Sequence, residues 1–264
     1  MGLITILGAS GFIGSHLVAE LERRQVGHRA IRREDELPRE NLGDVIYCIG
    51  VTADFRSKPF ETVEAHVCKL REILQSCEFT SLTYLSSTRV YARNSGTACE
   101  SDPLVMTPAD AGDLYNISKA MGESLTLNCG KTTRVVRLSN VYGHDVKSAN
   151  FLQTLIRDAV TTRKVVLLTA PESAKDFVCI DDAVRALLQI STRGREQIYN
   201  LAAGKNVTNL ELAEGLSKAT GCAVEFAANA PQVSFPPINI DRLKTEFDFK
   251  PRRLLDDLDE LVIS

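Results

Sequence analysis

The sequence carries no excess of charge of either sign: 31 Lys and Arg stand against 34 Asp and Glu over 264 residues, a formal net charge of −3. Without a basic stripe there is no electrostatic footprint for a phosphate backbone, and no nucleic-acid partner is expected. No apolar run approaches the ~18 to 20 residues that cross a bilayer. The N-terminus lacks the basic flank and small-residue cleavage site of a signal peptide. No membrane partner is therefore expected, and a cytoplasmic location is assigned. The seven cysteines, at 48, 68, 77, 99, 129, 179 and 222, are odd in number and contain no C-x-x-C pair. That argues against a disulfide framework and against zinc; they read as buried small hydrophobes, and no metal is expected. His16, His28, His66 and His144 show no ligand spacing and read as ordinary polar residues away from the chemistry. With 16 Gly and 9 Pro, the chain is neither disordered nor collagen-like.

What remains is a globular chain at the upper size for one core, so one α/β unit carrying a smaller part is expected. Leu3 to Leu7 is a short apolar run suited to a strand buried on both faces. Glycines follow, and then Leu17, Val18 and Leu21 at helical spacing. Strands are expected at 28–32, 44–49, 82–86 and 133–138, with helices near 59–77 and 110–129. The stretch 32–44 is too short and polar for a full helix. This alternation calls for a doubly wound parallel sheet. After Gly143 the expectation is a helix near 149–161, a strand at 165–168, a helix capped by Asp181, a capping box at Thr208 and Glu211, and two short C-terminal helices. Residues 1–142 form the expected dinucleotide-binding domain, to which 176–200 returns; 143–264 form the smaller substrate domain.

Gly8, Ser10, Gly11, Phe12, Ile13 and Gly14 lie in a G-x-x-G-x-x-G turn between that first strand and helix. Such a turn lets a pyrophosphate approach the backbone and face helix-terminal N–H groups. The acidic residue that would bind an adenosine ribose about 20 residues on is missing. Arg32 and Arg33 stand there instead, suited to a 2′-phosphate, so NADP is favoured, with NAD kept open by Glu34 and Asp35. Tyr115 and Lys119 lie one helical turn apart, and the ammonium is expected to draw the phenol's pKa below ~10. Ser86, Ser87 and Thr88 end an apolar strand, at the sheet edge where open α/β sheets bind ligands.

Taken together these residues resemble the extended short-chain dehydrogenase/reductase family, with its NAD-dependent nucleotide-sugar epimerases and dehydratases. Segments 44–50, 86–91, 137–143, 175–182 and 199–202 extend the resemblance nearly end to end. It implies a Rossmann-like sheet with a smaller C-terminal α/β substrate domain. It also implies Ser87, Tyr115 and Lys119 as the catalytic set, Lys119 holding the nicotinamide ribose. Ile49, Gly50, Val51 and Val141 would line the dinucleotide cleft; Ser87, Thr88, Arg89, Asn140 and Lys175 would face substrate. Dehydratases of the family follow the catalytic hydroxyl with Asp-Glu, where this chain has Thr88-Arg89, so dehydration lacks its acid and base. Lys175 stands where many relatives carry an Arg for the diphosphate. The expected activity is NADP-dependent reduction of a keto group on a nucleotide-linked, deoxy sugar. The alternatives are a cofactor-retaining nucleotide-sugar epimerase and a catalytically silent NADP-binding sensor or assembly subunit. The resemblance further implies a homodimer through the helices near 59–77 and 110–129.

Overall fold

Consecutive apolar residues suit a strand whose two faces are both covered, and the first strand shows why. In Ile4–Leu7 (β1) every residue is buried, Ile4 and Ile6 feeding one apolar cluster and Leu7 a second. Strand β3 (Asp44–Tyr47) divides the same way, with Ile46 on one side and Val45 and Tyr47 on the other. The computed structural model describes residues 2–38, 40–52, 54–144 and 150–263.

With β2 (His28–Ile31), β4 (Ser81–Ser87), β5 (Thr133–Leu138) and β9 (Ile198–Leu201), these strands form a six-stranded sheet of order β2-β1-β3-β4-β5-β9. Every pairing is parallel. The chain runs outward to β2 and then returns past β1 to β3, so the order reverses at β1. Such a reversal opens a crevice beyond the carboxyl ends of the strands. Between β2 and β3 the described residues hold no helix, as the polar composition of that stretch requires.

Helices cover both faces. On one lie α1 (Phe12–Arg23) and α6 (Ile180–Arg193). On the other, α4 (Asp113–Asn128) packs beside a rod made of α2 (Pro59–Val63), a π-helical turn (Glu64–Cys68) and α3 (Lys69–Ser76). The expected helix near 59–77 is thus present but contains an unforeseen π turn. Cys68 is exposed on the outward side of this rod, and Cys48, Cys99 and Cys129 are half-buried; only Cys77, Cys179 and Cys222 fit the expectation of buried thiols.

The remaining elements form a smaller layer. Strands β6 (Asn140–Tyr142), β8 (Ala174–Cys179) and β10 (Asn206–Thr208) make a three-stranded sheet, and β7 (Lys164–Leu167) pairs in parallel with β11 (Ala223–Phe226). Around them lie α5 (Phe151–Thr161), α7 (Asn209–Thr220), α8 (Asp241–Phe247) and α9 (Leu254–Ile263). Ala149, the expected first residue of α5, lies outside the described residues. The capping box at the start of α7 forms in full, Thr208 Oγ1 accepting from the Glu211 amide and Glu211 accepting from the Thr208 amide. Asp181 does not cap α6: Cys179 holds that position with extended backbone, and Asp181 falls in the first turn, where the helix dipole favours its charge. One apolar cluster runs from Ile4 in β1 to Leu261 in α9, so the smaller layer packs directly on the larger.

Candidate active site

Beyond the carboxyl ends of the sheet strands lies a cavity of about 570 Å³, floored by the Gly11–Ile13 turn and walled by strand ends, α4 and the 235–238 loop. Ser87, the last residue of β4, faces Tyr115 and Lys119 from α4 across this space. The Ser87 hydroxyl accepts from the Arg89 amide at 3.2 Å, so its own hydrogen is the one it donates, to the Tyr115 phenol oxygen or to a ligand oxygen. Lys119, 4 % exposed, donates from Nζ to the Leu85 carbonyl at 2.8 Å. Desolvation pushes its pKa down to about 7, against the pull of Glu123, the acidic residue one turn further along α4.

The Tyr115 phenol runs against expectation. Its ring is buried between Phe55 and His66, with centroids at 5.1 and 5.2 Å, and burial raises its pKa above the ordinary value. The opposing influences are the Ser87 hydroxyl and the Arg89 charge; Lys119 is not among them, its Nζ lying 5.9 Å from the ring centre. Desolvation, which helical spacing does not reveal, outweighs the charge nearby.

Beneath the cavity a polar network is fully paired. Glu123 accepts from Arg137 through three contacts at 2.7, 3.1 and 3.2 Å and from Ser86 Oγ at 2.5 Å, while Arg137 also reaches the Tyr91 hydroxyl at 2.6 Å. A buried ion pair with its remaining lone pairs satisfied fixes geometry more than it adds stability. Here it anchors α4 to β4 and β5, the elements that present Lys119 and Ser87.

The turn after β1 fits a dinucleotide. Gly8 has φ of 84°, and a Cβ there would press on the Ile49 amide; a Cβ on Gly14 would fall on the Gly8 carbonyl oxygen. Side chains at either position would fill the cradle or push α1 off the strand. Gly11, Phe12 and Ile13 line the cavity floor, and α1 carries no acidic residue in its first turn to repel a phosphate.

Comparison with known proteins agrees with this geometry. The description "NAD dependent epimerase/dehydratase family" matches residues 41–202. The chain belongs to that family. The epimerase/dehydratase-family chain is also 24% identical to the dTDP-4-dehydro-6-deoxyglucose reductase of Escherichia coli over 319 aligned positions, covering 99% of this chain and 96% of the relative. Among solved structures, MoeE5 in complex with UDP-glucose and NAD superposes with a TM-score of 0.83 at 20% identity, covering 99% of this chain and 98% of the other. RMD from Pseudomonas aeruginosa, complexed with NADPH, gives 0.79 at 21% identity, covering 100% and 98%. As a member of the epimerase/dehydratase family the chain is an enzyme that works with a nicotinamide dinucleotide.

Of the residues singled out from the sequence, the cavity gathers Gly11, Phe12, Ile13, Ile49, Gly50, Ser87, Thr88, Arg89, Tyr115, Lys119, Asn140, Val141 and Lys175. Gly8 and Gly14 act behind it through backbone shape. Ser10 is exposed on the turn, and Arg32 and Arg33 are exposed just past β2, outside the cavity wall; the Arg32 amide donates to Asp35. Asn140 lines the wall, its side-chain amide donating to the Asp176 carbonyl at 2.9 Å. Lys175 extends over the Phe151 ring at 4.0 Å, and burial lowers its pKa.

His66 was wrongly set aside. It is fully buried in the π turn, Nε2 accepting from the Val51 amide at 3.2 Å and Nδ1 lying 2.9 Å from Ser118 Oγ. Because Nε2 accepts, the proton sits on Nδ1 and is donated to Ser118, whose own hydroxyl donates to the Tyr115 carbonyl at 2.8 Å. Burial and Lys119 hold the ring neutral, its pKa lowered to about 2. The imidazole therefore ties the Gly50–Val51 end of the dinucleotide crevice to the turn of α4 that carries Tyr115. No spacing rule in the sequence signals this, since Val51 and Ser118 are 15 and 52 residues away.

Proposed function

We propose that the enzyme reduces a keto group on a nucleotide-linked deoxy sugar with NADPH, using Ser87, Tyr115 and Lys119. The observation that carries this reading is the convergence of a serine hydroxyl, a phenol kept protonated by burial, and a buried lysine on one cavity floored by a dinucleotide-type turn. The similarity to a dTDP-4-dehydro-6-deoxyglucose reductase over nearly the whole of both chains supports the sugar class.

The nicotinamide ring, when bound, supplies a hydride to the carbonyl carbon. Ser87 donates a hydrogen bond to the carbonyl oxygen and fixes its position. Tyr115 transfers its phenolic proton to that oxygen as negative charge develops there. A raised pKa suits a proton donor, since the phenol stays loaded at neutral pH. Lys119, held by the Leu85 carbonyl, would hold the nicotinamide ribose and orient it towards Tyr115. Gly8 to Gly14 would hold the pyrophosphate, and Arg32 and Arg33 would supply the charge for an adenosine 2′-phosphate. Thr88 and Arg89 offer neither the acid nor the base that water elimination needs.

The test is loss of absorbance at 340 nm when NADPH is mixed with the chain and a panel of 4-keto-6-deoxy nucleotide sugars. Reduction should proceed with NADPH and slow with NADH, and an Arg32→Ala, Arg33→Ala variant should lose the NADPH advantage. No absorbance loss across the panel would sink the reading. Tightly retained NAD with isomer formation and no net NADPH use would move it to the epimerase, in which the same residues oxidise a hydroxyl and return the hydride to the other face.

A further inference from the structure

We propose that Arg89 receives an oxyanion of the substrate, a carboxylate or a phosphate, at the reacting end of the cavity. The inference rests on the nucleotide-sugar reading above and names the group that this part of the pocket selects.

Arg89 lies two residues past Ser87 in the turn that closes β4, and its backbone amide already contacts the Ser87 hydroxyl. The side chain enters the cavity, where its guanidinium lies 5.3 Å from the Phe55 ring centre and 5.8 Å from that of Phe235. Both rings present a π face to the cation, and neither can accept from its N–H donors as an oxygen would. No described residue accepts from it. Nε is buried without a partner, and the guanidinium forms no ion pair among the described residues. The carboxylates that act on it electrostatically, Asp113 and Asp110, are bound to Arg93 at 2.8 and 2.6 Å.

The surroundings add positive charge. Arg56 stacks on the Phe55 ring at 4.5 Å and, after burial, lowers the proton affinity of Arg89, whose charge in turn lowers that of Lys175. A half-buried guanidinium among like charges, with its donors unused, costs stability in the free protein. An oxyanion removes that cost by accepting two donors from the fork through two of its oxygens. Arg89 shares the cavity with Ser87 and Tyr115, so a substrate held by those two residues brings its sugar carboxylate or its diphosphate within the same space.

Titration calorimetry on the NADPH-saturated full chain separates the sources. The probes are UDP, dTDP, UDP-glucose and UDP-glucuronate, measured for the native sequence and for Arg89→Gln, with NADPH affinity recorded as the check that the fold is intact. If a sugar carboxylate sits at Arg89, the native enzyme prefers UDP-glucuronate to UDP-glucose by about tenfold or more, the scale of a charge-assisted hydrogen bond. Arg89→Gln then abolishes the preference and leaves UDP binding unchanged. If the diphosphate sits there, UDP or dTDP itself weakens by about tenfold or more in the variant, and both sugars weaken with it. Either result supports the proposal and identifies the oxyanion. Unaltered affinities for every nucleotide in Arg89→Gln overturn it while leaving the nucleotide-sugar reading standing. A native chain that binds NADPH and no nucleotide overturns that reading, and the proposal with it. Should Arg89→Gln lose NADPH binding, Arg89→Lys is decisive: it keeps the charge and loses the fork, so the same preference should shrink, and its persistence at full strength overturns the proposal.

Discussion

The two ends of the cavity are built on opposite plans. At the dinucleotide end, backbone does the work: Gly8 and Gly14 shape a turn, His66 accepts from the Val51 amide, and each polar atom of the Val51–His66–Ser118–Tyr115 chain finds its partner within the protein. At the far end the groups are side chains, and Arg89 and Arg56 rest on aromatic faces with no ion pair to a carboxylate among the described residues. A surface completed before its ligand arrives recognises one constant molecule. One left with unused donors gains its energy only when the right substrate supplies the missing acceptors, which is where discrimination between substrates resides.

The residue at the seam should show the largest effect. Tyr115→Phe removes the proton donor and leaves the dinucleotide cradle untouched, so the rate of keto reduction should fall by roughly 10²- to 10⁴-fold while NADPH affinity measured by fluorescence titration holds. Parallel loss of both would mean that Tyr115 belongs structurally to the dinucleotide end and would erase the division.

His66 gives the next effect. His66→Phe keeps the ring volume and deletes both hydrogen bonds, leaving the Val51 amide buried without an acceptor, at a cost of about 1–3 kcal/mol. NADPH affinity should weaken by about tenfold or more, with a smaller change in the KM for the sugar. His66→Gln, which restores an acceptor and a donor, should recover part of the loss. An equal rise in both constants would show a general loosening of the fold.

Lys119 gives the smallest effect. Its folded pKa is depressed to about 7 by desolvation, whereas in the unfolded chain it titrates near ~10.4. Between these values the unfolded state binds more protons, so this residue makes stability rise with pH, by at most about 1.4 kcal/mol per pH unit. The rise begins near pH 7 and is lost again as pH falls through that value. Denaturant titrations from pH 6 to 9 should show this slope as a difference between the native chain and Lys119→Met. Two parallel curves would refute the assignment of an unpaired buried ammonium.

What the sequence disclosed was local. The glycine turn and the Tyr115–Lys119 pair are legible because their chemistry depends on spacings of three or four residues, which a strand-turn-helix or a single helix face converts directly into position. The parallel sheet is legible because burial on both faces demands continuous apolar runs. The missed features depend on partners far apart in the chain. His66 acts through Val51 and Ser118, and the solitary state of Arg89 follows from Asp110 and Asp113 having paired with Arg93. The Tyr115 acidity was misjudged for the same reason: the rings that desolvate it, Phe55 and His66, come from segments 60 and 49 residues earlier. Even the cap of α6 was displaced, because a carboxylate near a helix start reads alike at the cap and in the first turn.

The π turn at Glu64–Cys68 has a consequence for chain length. In a π turn the hydrogen bonds span five residues instead of four, so the segment holds one more residue than a regular helix of the same rise. Deleting one residue from 64–68 would let the rod close into an unbroken α-helix that still packs Leu70, Ile73 and Leu74 into the core. It would also turn position 66 away from Val51. A variant one residue shorter would thus keep its fold and lose its grip on the dinucleotide crevice, which makes insertion and deletion, rather than substitution, the sharpest way for this rod to gain or lose its part in the active site.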